Sequence, residues 1–393
     1  MIVRQFLQWV RTAGAAERAE ATAALARAYL YSDLSPDDRA ATEGALIMSL
    51  DDPSPLVRIA LARSLAFSED APLVVILGLA VDQPEVAGWV LQHSPLMVDG
   101  DLVDAAGAGN TATQLAIANR GALAPAVSAA IAEVGAPEAC LVLVENPSAE
   151  IAPLSLDRIV ERFGHLAAIR EALLARDDLP APTRQALVVK LSETLADFVT
   201  ARGWLGEDRA CRITREACEK ATIALAADSQ EGEVRPLIRH LRESGQLNAG
   251  LILRSLLSGN VELFEEALAD LAQVPLTRVV GIVHDRRGAG FRALYDKAGL
   301  PASTFPAFRE ALEAMREEGF MFEPGNASRL KRRIIERTLT RCESEAPDEI
   351  EPLLTLLRRY AAEAAREEAR LFCDELVSDG LIAHDPELHP VAA

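Results

Sequence analysis

A degenerate repeat of short helices and polar corners runs through the first half of the chain. LDDPSPLVRIAL at 50–61 is restated as LAVDQPEVAGWVL at 79–91, with Val86 in the place of Val57. Related corners follow at offsets of 26–30 residues, in LQHSPLM, IANRGAL, VENPSAEI and LARDDLP. Helices this short cannot bury their apolar faces alone, but stacked repeats form a continuous core. The repeat therefore predicts an α-solenoid of degenerate, HEAT-like units.

The composition favours helices over strands throughout the chain. Half of the residues are hydrophobic, which excludes a disordered chain, while only 5% are aromatic. Ala, Leu, Glu and Arg, which favour helices, outnumber the β-branched and aromatic residues that sheets need. We predict an all-α protein with a HEAT-like solenoid over 1–200 and a C-terminal helical domain over 201–320. Long amphipathic helices and a tail follow over 321–393.

The charge balance argues against several classes of partner. The net charge is −19, of which residues 1–200 contribute −12. An acidic surface repels nucleic acid and anionic membranes, and no aromatics interleave with the arginines. The longest apolar run, 71–81, has eleven residues; it is too short to span a bilayer and is typical of a buried helix. With no export signal at the N-terminus, we expect a cytoplasmic protein without integral membrane segments or bound nucleic acid.

Several longer strings are similar to those of a known bacterial family. They include FLQWV, ALARAYLYSDLSPDDR, LFEEALADLAQVPLTRVV and GFRALYDKAGLPASTFPAFREAL, at 6–10, 24–39, 263–280 and 290–312. On these strings the chain resembles the domain-of-unknown-function 2336 family over roughly residues 1–318. The resemblance implies a soluble, helical bacterial protein. It supplies no activity and no catalytic residues.

The sequence contains no recognisable catalytic or metal-binding motif. Its six histidines and five cysteines do not fall at zinc-ligand spacing, and HExxH and CxxC are absent. A GxSxG elbow and a P-loop are also absent. We predict a protein that is not an enzyme and that uses no cofactor or metal.

Some arginines lie in patterns that suit an anion. Arg286 and Arg287 precede Gly288 at the start of a predicted helix, where backbone N–H groups and guanidinium groups can hold a phosphate. A glycine turn with solvated arginines explains the same residues. Arg120 and Arg176 lie at repeat corners, which line up along one edge of a solenoid and would form a binding row there. Turn formation and helix capping are the alternative at these corners.

The C-terminal part contains a basic stripe and a long amphipathic helix. Arg333 and Arg337 belong to a series of arginines that recurs every four residues from 329 to 341. The stripe suits either an anionic partner or ion pairs with neighbouring glutamates. The helix predicted over 351–377 suits either homodimerisation or packing against its own domain.

These patterns favour two functions. The first is a non-enzymatic helical-repeat scaffold or regulator that binds protein partners, whose identity the sequence does not give. The alternative is a receptor for a small anionic ligand, such as a nucleotide second messenger, at Arg286, Arg287 and Gly288. A hydrolase whose site forms only in the folded chain is the third hypothesis.

Overall fold

Helices make up the regular structure of the described chain. The computed structural model describes residues 2–230, 232–285, 288, 290–318, 327–345 and 351–382. Within these residues lie twenty-two α-helices, two short 3-10 turns and one isolated β-bridge, between Leu123 and Ala149. The predicted all-α class is confirmed. None of the described helices is long and apolar enough to cross a membrane.

The chain divides into two compact units, Met1–Thr194 and Leu195–Ala393. The helices of the first unit are α1 Ile2–Trp9, α2 Ala15–Tyr31, α3 Pro36–Met48, α4 Pro55–Leu65, α5 Leu73–Ala80, α6 Pro84–His93, α7 Asp99–Ala108, α8 Thr111–Ala118, α9 Pro125–Val134, α10 Pro137–Glu145, α11 Pro153–Phe163 and α12 Ala167–Leu174. The division falls inside α13, Ala181–Ala201. The predicted domain limits at 200 and 320 stay predictions.

The helices of the second unit are longer on average. They are α14 Glu207–Asp228, α15 Val234–Glu243, α16 Ala249–Leu257, α17 Val261–Ala272, α18 Leu276–Val283, α19 Phe291–Lys297, α20 Phe305–Glu318, α21 Ala327–Glu345 and α22 Glu351–Ile382. A cluster of aromatic rings from α17, α19 and α20 packs in this unit, with ring centres 5.1–6.4 Å apart. Within the same unit, α21 packs against both α20 and α22.

Proline sets where many helices of the first unit begin. Six of them have proline as their first residue, namely α3, α4, α6, α9, α10 and α11. Proline has a fixed φ close to the helical value and no N–H to leave unsatisfied, so it suits the first helical position. The position of each of these prolines therefore determines where the preceding polar corner ends and the next helix begins.

Alternate helices pack against one another in the first unit. The series α2, α4, α6, α8, α10 and α12 is in contact from one member to the next, and α7 contacts α9, which contacts α11. Residues such as Leu61, Leu91, Ile117 and Leu143 are fully buried between them. This arrangement fits a stack of helical pairs, while the solenoid and its HEAT-like classification stay predictions.

Hydrogen bonds from corner side chains join segments that are one repeat apart. The Asn146 amide donates to the carbonyls of Ala118 and Arg120, both at 2.8 Å. The Arg162 guanidinium donates to the carbonyls of Ala132 and Gly135, at 2.6 and 2.8 Å. These pairs are separated by 26–30 residues, which is the offset of the repeat in the sequence. The corners therefore satisfy carbonyls left free at helix ends.

Candidate functional site

A cavity of about 570 Å³ lies in the second unit, bordered by α14, α16, α21, α22 and the turn that leads into α17. We call it the Arg254 cavity. Its apolar lining consists of Ile223, Leu257, Val261, Ile335 and the alanines at 224, 226, 227 and 364. Its ionisable lining consists of Lys220, Arg254, Glu262, Lys331, Tyr360, Glu363 and Glu367. The cavity therefore combines apolar walls with a cluster of charges.

Arg254 is the most deeply buried charge of this cavity. It lies in α16, whose residues 251–257 are all buried, and only 6% of Arg254 is exposed. Its guanidinium carbon lies 4.2 Å from the centre of the Tyr360 ring, and Nη1 donates to the Glu363 carboxylate at 3.0 Å. Burying a cation is costly unless it is paired, so α22 supplies the aromatic face and the counter-charge that this position needs.

Two groups beside Arg254 have shifted pKa values. Glu219 Oε2 lies 3.7 Å from Arg254 Nε, and burial raises the pKa of Glu219 against the attraction of that guanidinium. Burial, followed by the nearby Glu219, raises the pKa of Tyr360 to about 12. Its hydroxyl therefore stays protonated and donates to the Gly250 carbonyl at 3.4 Å. Shifted ionisable groups that cluster beside a cleft mark it as a candidate functional site.

Two lysines complete the charged cluster. Lys220 Nζ lies 3.3 Å from Glu363 Oε1, so Glu363 is shared between Lys220 and Arg254. Lys331 Nζ donates to Glu367 Oε2 at 2.9 Å. Burial works against ionisation of Glu367, but its hydrogen bond and attraction to Lys331 lower its pKa overall. Among the described residues, no group of three or more His, Cys, Asp or Glu side chains is placed to hold a metal ion.

A second candidate feature is an apolar surface on α5 of the first unit. Leu73, Val74 and Leu77 lie on one side of this helix with exposed fractions of 51%, 58% and 40%, and Val81 follows at 86%. We call these four residues the α5 face. Residues 75, 76 and 79, on the opposite side, are buried. The expectation that the apolar run 71–81 forms a buried helix is wrong for the outer side of α5, because this helix lies at the surface and only its other side is buried.

The predicted corner arginines form hydrogen bonds within the first unit. Arg120 donates to the carbonyls of Leu91 at 2.5 Å and Ser94 at 2.8 Å, and burial lowers the pKa of this guanidinium. Arg176 donates to the Val144 carbonyl at 3.0 Å and makes two 2.8 Å hydrogen bonds to Asp178. Both side chains thus connect a corner to the helix end about one repeat earlier. Their binding of a ligand stays a prediction.

The predicted basic stripe lies beside the acidic side of α20. Arg333 is exposed, while Arg337 pairs with Glu317. Arg341, further along the stripe, contacts Glu310, Glu313 and Glu317 at 3.1–3.3 Å. Ion pairing with glutamates, one of the two alternatives for this stripe, therefore occurs at Arg337 and Arg341. An anionic partner for Arg333 and Arg337 stays a prediction.

The predicted anion site at 286–288 is described only at its glycine. Arg286 and Arg287 lie outside the described residues. Gly288 has φ of +65°, the left-handed region, and its N–H donates to the Asp285 carbonyl at 3.1 Å. This geometry is that of a tight turn, which favours glycine. Whether the three residues bind a ligand stays a prediction.

The helix predicted over 351–377 is part of α22. Its first half packs on α21 and buries Leu353, Leu357, Tyr360 and Ala364 within the second unit. Further along, Leu371 and Phe372 are about half exposed. Packing against its own domain therefore accounts for the first half of the helix, and homodimerisation stays a prediction.

The charged cluster at Arg254 was not predicted from the sequence. One signal was present, because LILRSLL at 251–257 places a single arginine inside an otherwise nearly apolar helix. Charged residues are rarely fully buried unless they are paired, so such an arginine indicates a partner elsewhere in the fold. The partner Glu363 lies 109 residues away, and no local pattern links the two.

Comparison with known proteins identifies a family but no characterised relative. The family model described as an uncharacterised protein conserved in bacteria, DUF2336, matches residues 86–348, two thirds of the chain. No curated protein and no solved structure matches the chain. The chain therefore belongs to the DUF2336 family, as the resemblance of its strings predicted.

Proposed function

We propose that this member of the DUF2336 family is a non-enzymatic, cytoplasmic scaffold or regulator that binds a protein partner through the α5 face. The observation that supports this proposal is the exposure of Leu73, Val74, Leu77 and Val81 within nine residues. Single exposed apolar residues are common on proteins, but adjacent ones on one side of a helix form a patch typical of interaction sites.

The surroundings of the α5 face favour a partner with basic residues. Residues 1–200 carry a net charge of −12. Exposed Asp51 lies in the 3-10 turn Ser49–Asp51, which contacts α5, and exposed Glu69 and Asp70 lie in the corner that precedes α5. An amphipathic helix with apolar side chains on one face and Lys or Arg at its edges complements this surface.

The test is to change the α5 face without disturbing the core. A Leu73→Glu/Leu77→Glu variant places two charges on the face, and Leu154→Glu, at an 82% exposed position of α11, is the matched control. The partner is captured by cross-linking in the native bacterium and its affinity for each purified variant is then measured. We expect the double variant to bind at least about tenfold more weakly and the control to bind normally.

The affinities of the two variants can also refute the role of the α5 face. All three substituted positions are exposed, so we expect both variants to fold as the wild type does. Circular dichroism and thermal unfolding check this before affinities are compared. Equal affinity of the captured partner for the wild type and the double variant would refute the role of the α5 face. A loss with Leu154→Glu as large as that with the double variant would do the same.

A further inference from the structure

We propose that the Arg254 cavity binds an amphipathic monoanion, a molecule with one carboxylate or similar head group and an apolar body. This inference concerns the second unit and does not depend on the α5 face. It rests on three features of the cavity: its size and walls, its balance of charges, and the incomplete pairing of a buried guanidinium.

The size and walls suit the apolar body of such a ligand. A volume of about 570 Å³ lies in the range of small-molecule sites, which are mostly apolar with a few polar groups in fixed places. Ile223, Leu257, Val261 and Ile335 supply branched aliphatic surface, and the alanines of α14 and α22 leave room between the helices. Burial of an alkyl or aromatic body against these side chains supplies the hydrophobic part of the affinity.

The charges suit a single negative head group. Three cations, Lys220, Arg254 and Lys331, line the cavity, and α22 supplies two carboxylates to it, Glu363 and Glu367. Glu262 also lines the cavity, but it is exposed at the start of α17. Glu219 lies 3.7 Å from Arg254 Nε but does not line the cavity. One further anion therefore balances the inner part of the cluster.

The buried guanidinium of Arg254 is incompletely paired on its Nε side, where the neighbouring carboxylate is that of Glu219. Within the described chain, this buried Nε has no hydrogen-bond partner, and the nearest carboxylate oxygen of Glu219 is 3.7 Å away. A buried donor without an acceptor is costly. The Tyr360 ring holds the guanidinium in place, so a head group beside it binds a preorganised cation.

The head group of the ligand is expected to lie between Lys331 and Arg254. Lys331 has an exposed side-chain fraction of 23%, so its ammonium is accessible from the cavity, whereas Arg254 is almost enclosed. Both cations now pair with α22 carboxylates that are four residues apart, at 363 and 367. A carboxylate ligand would share these two cations with Glu363 and Glu367 rather than replace the whole network.

The test uses three probes of equal length on the full chain: octanoate, octan-1-ol and octylamine, measured by isothermal titration calorimetry. We expect octanoate to bind with one molecule per chain. The neutral alcohol should bind at least about tenfold more weakly, because it lacks the charge-assisted contacts. The amine should bind more weakly still. Equal binding of octanoate and octanol would overturn the proposal, as would the absence of octanoate binding.

Variants then locate the site. Lys331→Gln removes the accessible cation and leaves Glu367 to repel the ligand, so we expect at least about a tenfold loss of octanoate affinity. Lys297→Gln, at an exposed position of α19, is the matched control and should bind as the wild type does. Arg254→Gln is expected to abolish binding, but it also removes a buried ion pair; Lys331→Gln therefore keeps the test valid if the Arg254 variant unfolds. Octanoate binding unchanged in Lys331→Gln, or lost in the Leu73→Glu/Leu77→Glu variant, would refute this location.

Discussion

Removal of the Arg120 side chain tests whether corner side chains hold successive repeats together. Arg120 follows α8 and donates to the carbonyls of Leu91 and Ser94 at the end of α6. Both acceptors are among the carbonyls that the end of a helix leaves without an internal partner. We expect Arg120→Ala to destabilise the contact between α6 and α8 while leaving each helix intact.

The expected loss follows from the two hydrogen bonds. A hydrogen bond from a charged donor contributes about 1.5–3 kcal/mol net, so two of them set an upper limit of about 3–6 kcal/mol. Burial lowers the pKa of Arg120, which means that the folded state has already lost part of the hydration of this cation, and its removal recovers that cost. Water also reaches part of the freed carbonyls. We therefore expect a loss of about 2–3 kcal/mol.

Native-state amide hydrogen exchange, read by mass spectrometry on peptides from α6 and α8, measures this change directly. A loss of about 2–3 kcal/mol corresponds to exchange that is faster by about 30- to 150-fold. Arg120→Lys, which keeps the charge but lacks the planar guanidinium that contacts both carbonyls, should give a smaller increase. Arg27→Ala, at an exposed position of α2, is the control and should change stability by less than about 0.5 kcal/mol. Exchange in Arg120→Ala equal to that in Arg27→Ala would refute the reasoning.

Three further predictions concern individual side chains. Burial raises the pKa of Cys140 to about 11; we therefore expect iodoacetamide at pH 8 to alkylate exposed Cys211, and Cys140 only after unfolding, as measured by mass spectrometry. A hydrogen bond from Arg18 holds the pKa of Asp52 below its usual range, so its contribution to stability is present above about pH 4 and is lost as the pH falls through the folded-state pKa. Urea titrations at several pH values should show lower stability of Asp52→Asn at pH 7 and a smaller loss on acidification. Arg341→Ala removes a 3.1 Å contact to Glu310, whose side chain is only 7% exposed; we expect a loss of about 1–2 kcal/mol in stability by hydrogen exchange of α20 and α21.

The helices and their corners were predictable because the information for them is local. Proline at the first helical residue, as at Pro55 and Pro84, acts within one turn of the chain. The repeat offset then equals the spacing of hydrogen bonds such as that from Asn146 to Arg120. Local rules failed for α5, where an apolar run cannot show which side of its helix the rest of the fold covers.

The Arg254 cavity was not predictable, because its charges come from helices far apart in the chain. Lys220 lies in α14, Arg254 in α16, Lys331 in α21 and Glu363 in α22. Each of these residues has many equally plausible surface roles when it is considered alone, since charged residues cover the outer faces of most helices. Only the packing of α16 near α22 in the folded unit shows that Arg254 is buried. Its counter-charge, Glu363, lies 109 residues later in the chain.

Some of the many arginines of this chain have a structural role inside the fold. Of its 40 basic residues, 36 are arginine and four are lysine. Arg120 and Arg162 each donate to two carbonyls of an earlier repeat. A planar guanidinium can contact two such acceptors at once, whereas the ammonium of lysine acts as a single charge on a flexible stem. Corner arginines of this kind are engaged inside the fold, so a row of them in a repeat sequence is weak evidence for a ligand. By contrast, two of the four lysines, Lys220 and Lys331, line the Arg254 cavity, and a test of ligand binding should begin with them.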